Sequence, residues 1–217
     1  MEDLLKNQFV SVINAERIGT APPWTSVPDV RYEDISEREF DVVESKEDHT
    51  TIKRELGRGT ASYINGNGYV LRFVSFDDYL HQFVYDDGTG NTRKSMLKQH
   101  TKMADLLVYD RSGDSVYFLV QELCVGSIAN NRAKAKIQLS STLNMLYKSN
   151  EIKDFISSFD NKICYLSADD GRTATPNHVA EGFMKSYDII PDPSPFTFGK
   201  IKTCGFTAYE TSIIDLK

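Results

Sequence analysis

The amino-acid sequence predicts an α/β fold, a mixed central β-sheet flanked by helices. Three stretches carry this expectation. Residues 104–109 and 116–124 are apolar runs joined by the turn-forming Arg111-Ser112-Gly113-Asp114, which reads as an antiparallel pair. Residues 132–147 then change period. Ala135, Leu139, Leu143 and Leu146 recur at three- and four-residue spacing, as in a helix with one buried face. Residues 162–168 are a near-continuous apolar run, as in a strand covered on both faces and often parallel to its neighbour. A crossover through the helix to this strand is expected to be right-handed.

The other elements follow in chain order. In residues 1–20, Leu4, Leu5, Phe9, Val12 and Ile13 form one apolar stripe of a helix that Ala21-Pro22-Pro23 ends. The acidic stretch 32–45 predicts a second helix with Ile35, Phe40 and Val43 buried, and the polar residues 47–54 a loop. Residues 63–85 have strand character, broken at Asn65-Gly66-Asn67-Gly68, a hairpin-type turn signal. A second turn is expected at 86–91, and Asn130 or Asn131 is a helix cap. Short helices are expected over 151–159 and 178–187, a loop over 191–195, and one or two strands over 196–216. No repeat or linker divides the chain. The expected organisation is a single α/β domain over 1–217, with an N-terminal helical region (1–50) before a sheet-containing core (51–217).

The 217 residues carry a net charge of −6, which excludes indiscriminate binding of polyanions, but the charge is unevenly spread. Between Gly88 and Ala104 there is no acid, and Arg93, Lys94, Lys98 and Lys102 are basic. Between Leu123 and Asn150 there is again none, and Arg132, Lys134, Lys136 and Lys148 are basic. One such stretch is the ordinary solvated face of a protein, whereas two that bracket a pair of acids suggest a nucleic-acid surface. Cys124, Cys164 and Cys204 are too few and too far apart for a disulfide framework or a CxxC zinc signature. Reduced thiols in the cytoplasm are the simpler expectation. His49, His81, His100 and His178 share no spacing that a zinc site would need. No signal peptide or apolar run long enough for a bilayer is present, so no membrane partner is expected.

Asp105 and Glu122 stand out because each sits in an apolar strand, where a carboxylate is costly unless paired or bound to a cation. With the turn at 111–114, Asp110 lies opposite Ser115 and Asp105 opposite Val120. Side chains alternate, so Glu122 shares the face of Val120 and Asp105 and is its diagonal neighbour, roughly 7–8 Å away. Two carboxylates so placed suit one hard cation such as Mg²⁺ or Mn²⁺. A slip of one residue would separate them. The competing structural reading has Asp105 capping a strand and Glu122 paired with Lys102 or Arg132.

Ala104-Asp105-Leu106-Leu107-Val108, a short turn, Phe118-Leu119-Val120-Gln121-Glu122 and a helix bearing lysine and glutamine resemble the PD-(D/E)XK, restriction-endonuclease-like nuclease superfamily. The resemblance covers residues 102–168. It implies a restriction-endonuclease-like core and Mg²⁺-dependent hydrolysis of nucleic acid, DNA foremost, in settings such as bacterial defence. It also implies Asp105 and Glu122 as metal ligands and Gln138 as a helix-borne contributor. Contacts to nucleic acid would come from Arg93, Lys94, Lys98, Lys102, Arg132, Lys134 and Lys136, and such nucleases are often homodimers because two strands need two sites. The family lysine, two positions after the glutamate, is Cys124 here. Lys134 or Lys136 could supply the ammonium from the helix, Gln121 or Lys102 could serve instead, or the site binds without catalysis. An early acid, Glu37, Glu39 or Glu44, is a candidate further ligand.

Overall fold

The computed structural model describes residues 1–43, 51–53, 59–89, 93–97, 102–126, 128–169 and 193–217, with the backbone alone at 51–53, 125, 128 and 169. Lys98, Glu44, His49, His100, His178 and the helix expected over 178–187 lie outside the described residues.

The core is the pair expected from sequence. β8 (Leu106–Asp110) runs antiparallel to β9 (Tyr117–Val125), and β9 runs parallel to β10 (Asn161–Asp169). Between β9 and β10 lie α3 (Ile128–Leu146) and the short α4 (Asn150–Ser157). Ser149 caps α4 by accepting from the Ile152 amide at 3.2 Å. The full sheet has seven strands in the order β1-β5-β8-β9-β10-β12-β11, where β1 is Tyr32–Ile35, β5 is Leu71–Ser75, β11 is Ser194–Pro195 and β12 is Thr207–Glu210. Because β10 and β12 are also parallel while the β1–β5–β8–β9 run is antiparallel, the sheet is mixed and the fold is α/β.

Each face of this sheet has its own cover. One face packs on α3, on α4 and on α1, a helical run over residues 2–16 that widens into a π segment at Leu5–Phe9. On the other face lies a second, four-stranded sheet, ordered β13-β4-β2-β3. Its strands are β2 (Glu39–Val43), β3 (Thr51–Lys53), β4 (Ala61–Ile64) and β13 (Ile213–Asp215), and a separate two-stranded sheet pairs β6 (Val84–Tyr85) with β7 (Lys94–Ser95). Phe40, Val42, Tyr63 and Ile214 from it pack against Phe73, Val108, Leu119 and Leu123 of the large sheet. Two apolar faces so covered explain why β8 and β10 read as unbroken apolar runs.

Several expectations are corrected. The loops expected over 47–54 and 191–195 contain the short strands β3 and β11, and Asn130 and Asn131 lie inside α3, which starts at Ile128, and do not cap it. Residues 32–43 form the strands β1 and β2 and no helix, so among the described residues of 1–50 the helix is confined to residues 2–16. Phe40 and Val42 alternate, both fully buried, and the Phe40 ring stacks on Tyr63 with centroids 5.0 Å apart. Cross-strand pairing outweighs the weak helical spacing of a short acidic segment. The Asn65–Gly68 turn exists, with Gly68 at φ 70° donating to the Asn65 carbonyl, but it does not close a hairpin. Its flanking strands, β4 and β5, belong to different sheets. After β5, residues Phe76–His81 form the helix α2 instead of continuing as strand, and Gly199–Thr203 forms the helix α5 before β12.

The edge strand β1 is held by side chains as well as by its ladder. The Arg72 guanidinium of β5 binds both carboxylate oxygens of Asp34 at 2.6 Å and Glu2 of α1 at 2.9 Å, and lies 3.8 Å from the centroid of the Tyr32 ring. Tyr109 donates to the same Glu2.

Candidate functional site

β9 divides its side chains between the two covers. Tyr117, Leu119, Gln121 and Leu123 face the four-stranded sheet. Phe118, Val120, Glu122 and Cys124 face the helices. Gln121 confirms the parity, because its amide oxygen accepts from the Tyr63 hydroxyl at 2.7 Å and its amide nitrogen donates to Ser167 at 3.1 Å. Gln121 is therefore fully engaged on the far side from Glu122.

The β8–β9 register pairs Leu106 with Gln121. Continued by one residue, it sets Asp105 directly opposite Glu122, not opposite Val120. The slip is two residues, so the shared face is kept and the separation falls from a diagonal to a direct neighbour, roughly 4.5–5.5 Å between Cβ atoms. The two residues are taken up by a wider turn. Asp110 accepts from the amides of Ser112 at 2.7 Å and Val116 at 3.3 Å, and Gly113 and Ser115 both have positive φ.

Asp105 is fixed from three sides. Its carbonyl accepts from the first amides of α2, Phe76 at 2.8 Å and Asp77 at 3.2 Å. Its carboxylate accepts from the Leu123 amide at 2.6 Å and so extends the ladder past the last strand residue. The segment before it is clamped by α3, where Gln138 Nε2 donates to the Met103 carbonyl at 3.0 Å and Thr142 Oγ1 accepts from the Ala104 amide at 2.7 Å. Thr142 in turn donates to the Gln138 carbonyl at 3.0 Å. Gln138 and Thr142 replace apolar residues in the buried stripe of α3 at the place where α3 meets this chain segment. Glu122 is 1 % exposed, and the Gln138 Oε1 atom is buried and accepts no hydrogen bond among the described residues.

Cys124, in the position of the family lysine, is buried against Ala135, Leu166 and Ala168. Lys134 is exposed one helical turn before Gln138 on the same side of α3. Lys136 is about 200° round the helix from Gln138, and its ammonium lies 5.2 Å from the Phe196 ring centroid. The structure thus brings Asp105, Glu122 and Gln138 to one region with Lys134 near its edge, and turns Lys136 away.

The basic residues divide similarly. Arg132 makes a bidentate pair with Glu210 at 2.5 and 2.7 Å, so it is not the partner of Glu122. Lys94 pairs with Asp87, whose carboxyl it holds well below the usual range, and Lys148 pairs with Glu16. Arg93, Lys102 and Lys134 are exposed. Of the early acids, Glu39 lies in β2 of the sheet on the opposite side, and Glu37 precedes it in the link from β1. Among the described residues, no three His, Cys, Asp or Glu side chains group as a metal site, and no helix is long and apolar enough to cross a membrane.

Sequence reasoning missed Thr142 and Glu210. Thr142 carried a signal, since it follows Gln138 by one turn on the same face. Glu210 became visible only through β12, which sets it beside Leu166 and so in the cross-strand row of Glu122. Comparison with protein-family models, with curated proteins and with solved structures found no match for the chain.

Proposed function

We propose that the protein is a metal-dependent nuclease that hydrolyses phosphodiester bonds of nucleic acid, DNA foremost. One observation supports this reading: Asp105 and Glu122 face one another across β8 and β9, on the side of the sheet that α3 covers. The succession of acid, strand, strand bearing an acid, and glutamine-bearing helix is similar to the PD-(D/E)XK nucleases. In this reading β8, β9, α3 and β10 are the restriction-endonuclease-like core.

The donor set fits Mg²⁺ or Mn²⁺, ions that prefer oxygen, because it comprises two carboxylates with the buried amide oxygen of Gln138 on the same side. A bound divalent ion supplies a water of lowered pKa and offsets charge on the phosphate. The chain's own part is to hold Asp105 through Leu123, Phe76 and Thr142, and to exclude bulk water from Glu122. Lys134, exposed beside Gln138, takes the place of the lysine that Cys124 displaces and faces the charge that develops on the phosphate. Arg93, Lys102 and Lys134 are the exposed cations that steer nucleic acid to the site, and Lys94, Arg132 and Lys136 join them where their present partners yield. The free thiols suit a reducing cytoplasm.

A second reading, a nuclease-like fold that binds nucleic acid without cleaving it, is favoured by Cys124. A buried neutral thiol cannot stabilise developing negative charge. Supercoiled plasmid with Mg²⁺ or Mn²⁺ separates the two. The nuclease nicks it, Glu122→Gln does not, and Mn²⁺ raises the melting temperature of the wild type alone. Nicking that persists in Glu122→Gln overturns the site. Salt-sensitive binding without nicking establishes the second reading.

A further inference from the structure

The outer edge of the large sheet carries a cavity that the metal reading does not use. Its volume is about 220 Å³, and its wall includes Phe196, Phe198, Lys202, Phe206 and Tyr209. Phe196, Phe198 and Tyr209 are half-buried, so part of each ring remains open. Residues 193–209 contain no acid, and Lys200 and Lys202 are exposed on the helix that borders the cavity. Lys136 of α3 is not in the wall, but its ammonium lies 5.2 Å from the centroid of the Phe196 ring, which is. Aromatic rings with Lys202 in their wall and Lys136 and Lys200 nearby, the neighbouring Glu210 being paired with Arg132, are complementary to a flat aromatic group joined to a phosphate.

We infer that this cavity receives an unpaired nucleobase of a single-stranded nucleic acid, with Lys136 and Lys202 on the adjoining phosphates. A base within a duplex has both faces covered by its neighbours and cannot stack on these rings, whereas an unpaired base can. The location suits the same substrate. Glu122, Leu166 and Glu210 form one cross-strand row, and β12, which lines the cavity, is two strands from β9, roughly 10 Å. The inference rests on the nuclease reading in taking nucleic acid as the substrate, and it narrows that substrate to strands with unpaired bases.

Fluorescence anisotropy in EDTA tests it without the metal, using a labelled oligothymidylate and a blunt duplex of matched length. The single strand is expected to bind the wild type more tightly than the duplex. Phe198→Ala should weaken single-strand binding about tenfold or more and leave duplex binding unchanged. Lys202→Gln, on an exposed side chain, should lower the salt dependence of single-strand binding by about one ion. Equal affinity for the two probes, or wild-type binding by both variants, overturns the inference. If Phe198→Ala fails to fold, Lys202→Gln and Lys136→Gln decide alone through the salt slope. The two readings fail separately. Weakened binding in these variants without any nicking by the wild type removes the nuclease and keeps the cavity. Nicking that depends on Glu122, with unaltered binding by the variants, does the reverse.

Discussion

Two acidic clusters share one face of the seven-stranded sheet and are built in opposite ways. Toward β1, Asp34 and Glu2 close on the Arg72 guanidinium, which is 6 % exposed, and Asp34 also meets Arg111 at 3.3 Å. Toward the end of β9, an acid stands opposite an acid. In the first cluster opposite charges complete one another, and its role is to join α1, β1 and β5. In the second, Asp105 and Glu122 lie across β8 and β9 from one another, the Asp105 carboxylate accepting from the Leu123 amide and its segment clamped by α3. The difference sets a structural network beside the site proposed above for a metal. Substitution in the first should change stability and leave chemistry alone, and substitution in the second should change metal response more than stability.

The largest effect on folding is expected for Arg72→Leu. It leaves Glu2 without its guanidinium and Asp34 with Arg111 alone, and should lower unfolding free energy by about 3 kcal/mol in urea titration, at the low end for a broken buried pair because Asp34 is partly solvated. Retention of wild-type stability would show that the network is incidental. Thr142→Val comes next. It leaves the buried Ala104 amide without its acceptor, for a loss of about 1–2 kcal/mol, and it loosens the segment that carries Asp105. The Mn²⁺-induced rise in melting temperature should therefore shrink as well. A variant that loses stability but keeps its full Mn²⁺ response would break the assignment of Thr142 to the second cluster.

The smallest effect concerns pH. Hydrogen bonding to Arg72, helped by the charges of Arg72 and Arg111, holds the Asp34 carboxyl below its usual value. Burial pushes Glu2 up, but the Tyr109 hydroxyl, the terminal amine and Arg72 outweigh it, so Glu2 is also lowered. For a carboxyl depressed in the folded state, the stabilisation is present above the unfolded value near pH 4 and disappears as pH falls through the folded one. The stability gap between wild type and Asp34→Asn should thus be constant from about pH 7 to 5 and close below about pH 4. A gap that stays constant to pH 2 would place the stabilisation elsewhere.

The core was legible because periodicity is local. The β8–β9 pair, the body of the helix read over 132–147 and the apolar β10 all follow from spacings of two and between three and four residues, whereas the helix start at Ile128 does not. The common face of Asp105 and Glu122 was legible for the same reason, since parity survives a slip of two. The register itself was not, because the length of a turn depends on a side chain, Asp110, folding back on amides up to six residues away. Strands β1 and β2 were missed because their pairing partners, β5 and β4, come later in the chain, so nothing within the acidic stretch distinguishes strand from wet helix. The same remoteness hid the partners of Arg132 and Arg72, which are 78 and 38 residues distant. Charge runs in the sequence could be counted, but which cations were already neutralised could not.

The position of Arg72 has a consequence for self-association. β1 is four residues long and closes one margin of the large sheet, while the strand inside it, β5, presents Leu71, Phe73 and Val74 fully or almost fully buried. Were β1 to peel away, the five-residue margin of β5 would show open amides and carbonyls beside apolar side chains, the kind of edge on which other chains pair. One arginine gripping Asp34 beneath an aromatic lid therefore serves as a latch against fibre growth.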